Sequence, residues 1–261
     1  MAVTAPPASP TGSEAARLAD LLRQSRRTVV FTGAGMSTES GLPDFRSQGG
    51  LWQGSRRFEE LASVDALHSS PGEFIEFYRW RIRLLGRYGP HAGHAILARW
   101  QHRGLVSTLI TQNVDGFHQE AGSSDVLCLH GTLRTVHCHG CGRRVPATSF
   151  LDDAGLSCAS CRGPMRPSVV LFGEALDQDT LEAAFEASAS AELFLVLGSS
   201  LVVSPANLLP AAALRAGATL CIVNREETAQ SHRCALDLRA QIGPTLAAAD
   251  AVLSPAEGSR P

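Results

Sequence analysis

Six short apolar runs recur along the chain with almost no polar interruption: Thr28–Phe31, Val106–Ile110, Val126–Leu129, Val169–Phe172, Leu193–Leu197 and Leu220–Val223. A strand with one face in water alternates polar and apolar side chains, so unbroken runs of this length call for a sheet covered on both faces. The segments at about 14–25, 92–102, 178–190 and 205–216 carry helical patterns between the runs. Strands alternating with helices predict an α/β fold, a doubly wound, Rossmann-like parallel sheet. With 44% of 261 residues hydrophobic, the chain can build the core such a sheet needs.

Two stretches break the alternation. Residues 47–89 carry helical patterns without a clear strand, and residues 135–164 hold Gly, Arg, His and Ser with little apolar content. Both read as insertions forming a smaller lobe. The expected organisation is a large domain from 14–46, 90–134 and 165–253, a helical insertion at 47–89, a metal-binding module at 135–164, and disordered tails at 1–13 and 254–261.

The second insertion contains two Cys-x-x-Cys pairs, Cys138/Cys141 and Cys158/Cys161, separated by sixteen residues. Four thiolates at this spacing close a tetrahedral zinc site and leave no open position for a reactive water, so one structural Zn2+ per chain is expected. Residues 1–12 lack the basic start and apolar core of an export signal, which favours metal ligation over disulfides. Cys128 and Cys221 lie in apolar runs and read as buried small residues; Cys234 is the remaining single. A net charge of −2 gives no electrostatic reason to expect nucleic acid or an anionic membrane surface, and no run approaches a membrane span.

Several strand ends carry small or polar motifs. Gly33-Ala34-Gly35 follows the first run, as a phosphate-cradling loop would, although the next glycine is Gly41 and the G-x-G-x-x-G spacing is not met. Pro43-Asp44-Phe45-Arg46 comes next, with an arginine able to pair a phosphate and an aromatic able to stack on a ring. Gln112, Asn113 and Asp115 begin where the second run ends, where open α/β sheets bind ligands; the same residues also suit a helix N-cap. His130 ends the third run, placed for general-base work or for a plain solvated role. Gly198-Ser199-Ser200-Leu201 and Val223-Asn224 put two further polar turns on the same rim.

In this order the motifs GAG with PDFRS, TQNVDGFH, LHG, the two cysteine pairs, PSVVLFGE, GSSL and VN resemble the sirtuin family of NAD-dependent protein lysine deacylases, over residues 17–250. The resemblance implies NAD at Gly33, Ala34, Gly35, Asp44, Phe45 and Arg46, with Phe45 shielding the ribose carbon once nicotinamide leaves. It puts Asn113 and Asp115 at the nicotinamide, Gln112 at a ribose, and Gly198, Ser199, Ser200 and Asn224 at the adenosine half, with Thr245, in a turn after Gly243-Pro244, capping the adenine. His130 becomes the general base, assisted by Asn113 in the catalytic set. The acyl-lysine peptide adds as a strand between Val170–Phe172–Gly173 and Leu201–Val203. The products are nicotinamide, an O-acyl-ADP-ribose and free lysine.

Acetyl groups are the first expectation. Tyr78 and Arg81, adjacent on one helix face, match a Tyr-x-x-Arg pair that family members use for succinyl or malonyl carboxylates, whereas Asp44 stands where those members carry Thr. Arg79, Arg83 and Arg87 of the same segment read as a solvated basic face. The competing readings are desuccinylation or demalonylation, mono-ADP-ribosyl transfer, and a non-enzymatic zinc ribbon. Acyl-lysine proteins are the expected partners, with no nucleic acid and no membrane. The Ala/Arg-rich composition points to a bacterial cytoplasmic enzyme acting as a monomer.

Overall fold

The computed structural model describes residues 11–44 and 56–254. Phe45 and Arg46 lie outside the described residues. Among the described residues, nine strands form two sheets. β1 (Thr28–Thr32), β2 (Thr108–Thr111), β3 (Leu127–Cys128), β7 (Leu193–Leu197), β8 (Thr219–Val223) and β9 (Leu236–Leu238) make a parallel sheet in the order β3-β2-β1-β7-β8-β9. β4 (Gly131–Cys138), β5 (Arg144–Pro146) and β6 (Met165–Val169) make an antiparallel sheet in the order β5-β4-β6. In the large sheet the chain turns back between β1 and β7, which places a crevice beyond their carboxyl ends.

Every residue of β1 and β7 is buried, and alternate side chains face two different cores. Val30, Leu195 and Leu197 pack with Leu18 and Leu22 of α1 (Gly12–Gln24), Trp100 of α5 (Ala92–His102) and Leu246 of α9 (Ile242–Leu253). Val29, Phe31, Phe194 and Val196 pack with Ala184 of α7 (Gln178–Ser190) and Leu209 and Ala213 of α8 (Leu209–Arg215). A third core belongs to the small lobe. There α2 (Arg56–Leu61), α3 (Val64–Ser69) and α4 (Pro71–Leu85) meet the antiparallel sheet through Phe74, Phe77, Tyr78, Val136, Phe150 and Met165. No helix among the described residues is long and apolar enough to cross a membrane.

Four sequence expectations are corrected. The run Val169–Phe172 is not a strand of the parallel sheet: it leaves the end of β6, an edge strand where Pro167 needs no ladder N–H. β4 crosses the boundary expected at 134/135, because its Leu133 and Val136 are buried in the small lobe and its partner β6 follows the cysteines. α1 starts at Gly12, inside the expected tail, with a Thr11–Glu14 capping box. Gly243-Pro244-Thr245 is not a turn but the first turn of α9, a helix with no side-chain cap of its own.

Two histidines lie deep in the large domain. His94 of α5 and His118 of α6 (Phe117–Glu120) are fully buried, with ring centroids 4.9 Å apart. His118 Nε2 meets Thr32 Oγ1 at 3.0 Å, and His91 N–H donates to His94 Nδ1 at 3.3 Å. Burial, reinforced by the neighbouring imidazoles, pushes the His94 pKa down to about 2 and the His118 pKa to about 3. Both are neutral in the fold and bind protons near 6.5 once unfolded. Their contribution to stability is therefore complete above 6.5 and is lost as pH falls below it. His130 and His137 are lowered too and act in the same sense.

Unfolding free energies from denaturant melts should thus fall steeply between neutral pH and about pH 4.5, by about 1.4 kcal/mol per pH unit for each fully buried imidazole. A His94→Gln/His118→Gln variant should show a shallower slope. A flat wild-type profile over that range refutes the assignment of two neutral buried rings.

Candidate functional site

At the crevice the ends of β1 and β7 touch through glycine. A Cβ on Gly33 would lie 2.7 Å from Gly198 O, one on Gly35 2.7 Å from Gly198 Cα, and one on Gly198 2.4 Å from Met36 N. Gly198 also takes a φ of 64°, which glycine adopts without strain. The expected phosphate donors are used differently. Gly33 N–H donates to Leu197 O at 3.0 Å, Gly35 N–H to Gly198 O at 2.8 Å and Met36 N–H to Gly33 O at 2.9 Å. These glycines bind two loops to each other, and the segment after them, Ala34–Ser40, is a 3-10 helix. Glu39 on that helix accepts Ile242 N–H at 2.7 Å and Gly243 N–H at 3.0 Å, supplying the cap that α9 lacks.

A cleft of about 520 Å³ opens over these strand ends, between the sheet and the small lobe. Gly33, Ala34, Gly35, Asp44, Gln112, Asn113, His130, Gly198, Ser199, Ser200 and Asn224 all line it, as do Val170, Phe172, Gly173, Val203, Tyr78 and Arg81. Three expected residues do not: Asp115, which lines a smaller pocket, Thr245 and Leu201. Thr245 is fully buried and donates its hydroxyl to Gln241 O at 2.5 Å, so the cleft wall there is Ala240, Gln241 and Ile242. Leu201 is 5% exposed and packs into a sheet core at a φ of 55°, while Val202, 62% exposed, faces the cleft.

Three strand ends are wired together around His130. His130 Nδ1 meets Gln112 O at 3.0 Å, and Gln112 Nε2 donates to Ser199 Oγ at 2.8 Å. A carbonyl partner fixes the proton on Nδ1 and leaves Nε2 with a lone pair. Burial lowers the His130 pKa, against the opposing pull of the Gln112 carbonyl, so the ring is neutral near pH 7.

Asn113 and Asp115 turn to a smaller pocket lined with Ala34, Ser37, Arg81 and Leu133. Asn113 Nδ2 donates to Gly33 O at 3.0 Å and to Ser37 Oγ at 3.2 Å. Asp115 accepts Ser37 Oγ–H at 2.7 Å and Phe117 N–H at 2.9 Å. Burial raises the Asp115 pKa, while those two donors oppose it. The N-cap expectation is corrected: the cap of α6 is Gly116, in the left-handed region, and Asp115 sits one residue earlier, where it takes the Phe117 amide.

Tyr78 is fully buried, and the Arg81 guanidinium sits 5.5 Å from its ring centroid and 5.7 Å from that of Phe77. Desolvation lowers the Arg81 pKa, and Tyr78 opposes the shift. Arg79 departs from the expected solvated face: it is buried, donates to Phe150 O at 3.0 Å and pairs with Glu76 and Asp153. Residues missed in the sequence include Glu39, Phe58, Trp80, Glu174 and Gln241 on the cleft wall. Glu39, inside the glycine-loop motif, and Glu174, the last residue of PSVVLFGE, were within reach; Phe58, Trp80 and Gln241 come into place only through tertiary packing.

Away from the cleft, the sulfurs of Cys138, Cys141, Cys158 and Cys161 all lie within 4.8 Å of one another. Cys138 and Cys161 are 3.4 Å apart, Cys141 and Cys158 3.7 Å. A tetrahedron with Zn–S of about 2.3 Å sets sulfurs about 3.8 Å apart. Ser160 N–H points at Cys158 Sγ and Gly163 N–H at Cys161 Sγ, each at 3.4 Å, as donors that stabilise thiolates. Both pairs sit on alike turns, with Gly142 N–H bonded to Cys138 O and Arg162 N–H to Cys158 O at 2.9 Å. The set fits a structural zinc ion.

Residues 33–205 match the Sir2 family model. An NAD-dependent protein deacetylase 1 of Geobacillus kaustophilus is 58% identical over 210 residues, covering 79% of this chain and 85% of its own. An NAD-dependent protein deacylase of Aeropyrum pernix is 42% identical over 223 residues, covering 85% and 90%. Among solved structures, a Sir2 complex with a p53 peptide and NAD+ is 37% identical with a TM-score of 0.78, covering 88% of this chain and 95% of that one. Sir2Tm bound to a propionylated peptide reaches a TM-score of 0.81 at 36% identity, covering 91% and 98%.

Metal analysis of the purified chain should find one zinc per molecule. Cys158→Ser, or a strong chelator, should release it and lower the melting temperature, because metal affinity here is folding energy. A wild type free of zinc, or a melting curve indifferent to chelation, removes the metal assignment.

Proposed function

The chain belongs to the Sir2 family and is an NAD-dependent protein lysine deacylase; we propose that it acts chiefly on acetyl-lysine, with His130 as the general base. The observation that carries this is the His130–Gln112–Ser199 chain. It holds a neutral imidazole, its tautomer fixed, at the wall of a cleft framed by the ends of β1, β2 and β7. NAD supplies the ribose carbon that takes the acyl oxygen, and so lets an amide be cleaved without a metal-activated water.

The residues present suit that partner. Ala34, Gly198, Ser200 and Asn224 offer small side chains and main-chain groups along the rim. Asn113 and Asp115, with Ser37, furnish a polar end to the smaller pocket of the size and chemistry to take a carboxamide. His130 Nε2 removes a proton from a ribose hydroxyl, a task worth ~10²–10⁴ in rate. Val170, Gly173 and Val203 flank the opening through which an acyl-lysine side chain enters between the lobes.

A second reading, removal of acidic acyl groups, rests on Arg81. It lines both the main cleft and the smaller pocket, beside Tyr78. A desolvated guanidinium rewards a carboxylate more than a methyl group.

His130→Ala should lose most nicotinamide release with an acetyl-lysine peptide while NAD still binds. In the wild type, the acid limb of kcat/KM should fall below 6.5, since burial lowers the base. Product mass distinguishes the chemistry: O-acetyl-ADP-ribose supports deacylation, and ADP-ribosylated protein supports transfer. Undiminished turnover in His130→Ala sinks the base assignment.

If Arg81 reads a carboxylate, Arg81→Ala should cut desuccinylation by roughly ten- to a hundredfold and deacetylation only a few-fold. Equal losses on both peptides reject that role.

A further inference from the structure

Arg166 and Glu174 bracket the segment that leaves β6 and forms one wall of the cleft. The Arg166 side chain is 7% exposed and that of Glu174 28%. Their contact is bidentate: Nη1 donates to Oε1 at 2.5 Å and Nη2 to Oε2 at 2.9 Å. Arg166 Nη2 also donates to Val169 O at 2.9 Å. Glu174 Oε2 accepts Leu171 N–H at 2.8 Å, and Glu174 N–H returns to Leu171 O at 3.0 Å. Burial pushes the Glu174 pKa up, but the guanidinium and the Leu171 amide outweigh it and hold the carboxyl below its ordinary value.

The rest of the segment is tied from the other side. Val170 N–H donates to His130 O at 3.0 Å, Phe172 N–H to Ala62 O at 2.9 Å, and Val64 N–H to Phe172 O at 3.0 Å. With Phe172 paired to residues 62 and 64, and both main-chain groups of Leu171 taken by Glu174, an added strand can pair only with what remains at Val170 and Gly173. A peptide bound through main-chain hydrogen bonds takes its register from whichever groups the edge leaves open.

We propose that Glu174 and Arg166 are positioning residues for the acyl-lysine peptide: their pair, by holding the Leu171 N–H on the Glu174 carboxylate, fixes the edge from Val170 to Gly173 in the one register that receives substrate. The inference rests on the deacylase reading and adds to it the residues that set peptide affinity. Neither group touches the reacting atoms. Their loss weakens peptide binding and leaves NAD handling alone.

The test is anisotropy of a labelled acetyl-lysine peptide on the full chain, with KM for peptide and for NAD measured in parallel. Glu174→Ala should weaken peptide binding at least about tenfold, the scale of a buried charge-assisted contact, with the NAD KM within about twofold. Glu174→Gln, which keeps an acceptor for the Leu171 amide, should lose less. Because Glu174→Ala strands a buried guanidinium, the double variant Arg166→Met/Glu174→Met serves as the stable control. It removes both charges, so it should fold and still bind peptide weakly. Normal peptide affinity in the double variant, or parallel rises in both KM values, overturns the proposal. A wild type that binds the peptide but releases no nicotinamide from NAD refutes the deacylase reading instead.

Discussion

The contact between the β1 and β7 loops is the constraint on which the site depends. Gly33, Gly35 and Gly198 stand so close that any side chain at these positions would strike backbone, not a movable side-chain end. Backbone that near can bond directly, and two hydrogen bonds seal the contact. Three consequences follow from this one approach. The 3-10 helix starts where it must for Glu39 to reach α9. Gly33 O is aimed at Asn113. Ser199 comes within reach of Gln112, and hence of the base. A glycine loop of this kind looks like a phosphate cradle, yet its first duty is to join the halves of the sheet.

The base inherits its orientation from the register of the sheet. Gln112 uses its main chain for His130 and its side chain for Ser199, so one residue at the end of β2 ties β3 to β7. A shift of one strand would move the carbonyl that fixes the tautomer. The neutral state of His130 arises in the same way, from walls that exclude water and not from a nearby cation. Asp115 shows the converse: burial favours its neutral form, and the Ser37 hydroxyl and Phe117 amide keep an ionised carboxylate tolerable beside the pocket. Two titratable groups are thus shifted in opposite directions at adjoining strand ends by the same exclusion of water.

Much of this was legible in the chain itself. The buried strands announced themselves because a sheet covered on both faces leaves no polar positions, and β7 matched its apolar run from Leu193 to Leu197. The cysteine set was legible because ligand spacing is a local property. What stayed hidden was non-local. α9 has an apolar, Ala-rich sequence with no cap, and its cap arrives from a residue 203 positions away. β4 was obscured by an irregularity in its pairing between Gly131 and Val136, which spoils the two-residue alternation. The family resemblance implies Thr245 at the adenine, but helix α9 turns it inward.

The small lobe settles what the sheet cannot. In the proposed reaction the parallel sheet would supply the base and the polar pocket, and the acyl group would meet α4, where Phe77, Tyr78, Trp80 and Arg81 line the cleft with Phe58 of α2. Phe58 and Trp80 stack at 5.3 Å, so this wall is mostly aromatic and apolar. In such surroundings a charge matters more than in water, because effective dielectric falls and competing hydration is lost. Arg81 lines both pockets, so its charge is felt in each. α4 itself is held by Arg79, whose buried guanidinium bonds to Phe150 O and thereby fastens the helix to the zinc-bearing half of the lobe. The cysteine cluster lies away from the cleft, yet Cys138 and Cys158 share a core with Phe150, and Phe150 O takes the Arg79 guanidinium of the helix that lines the cleft.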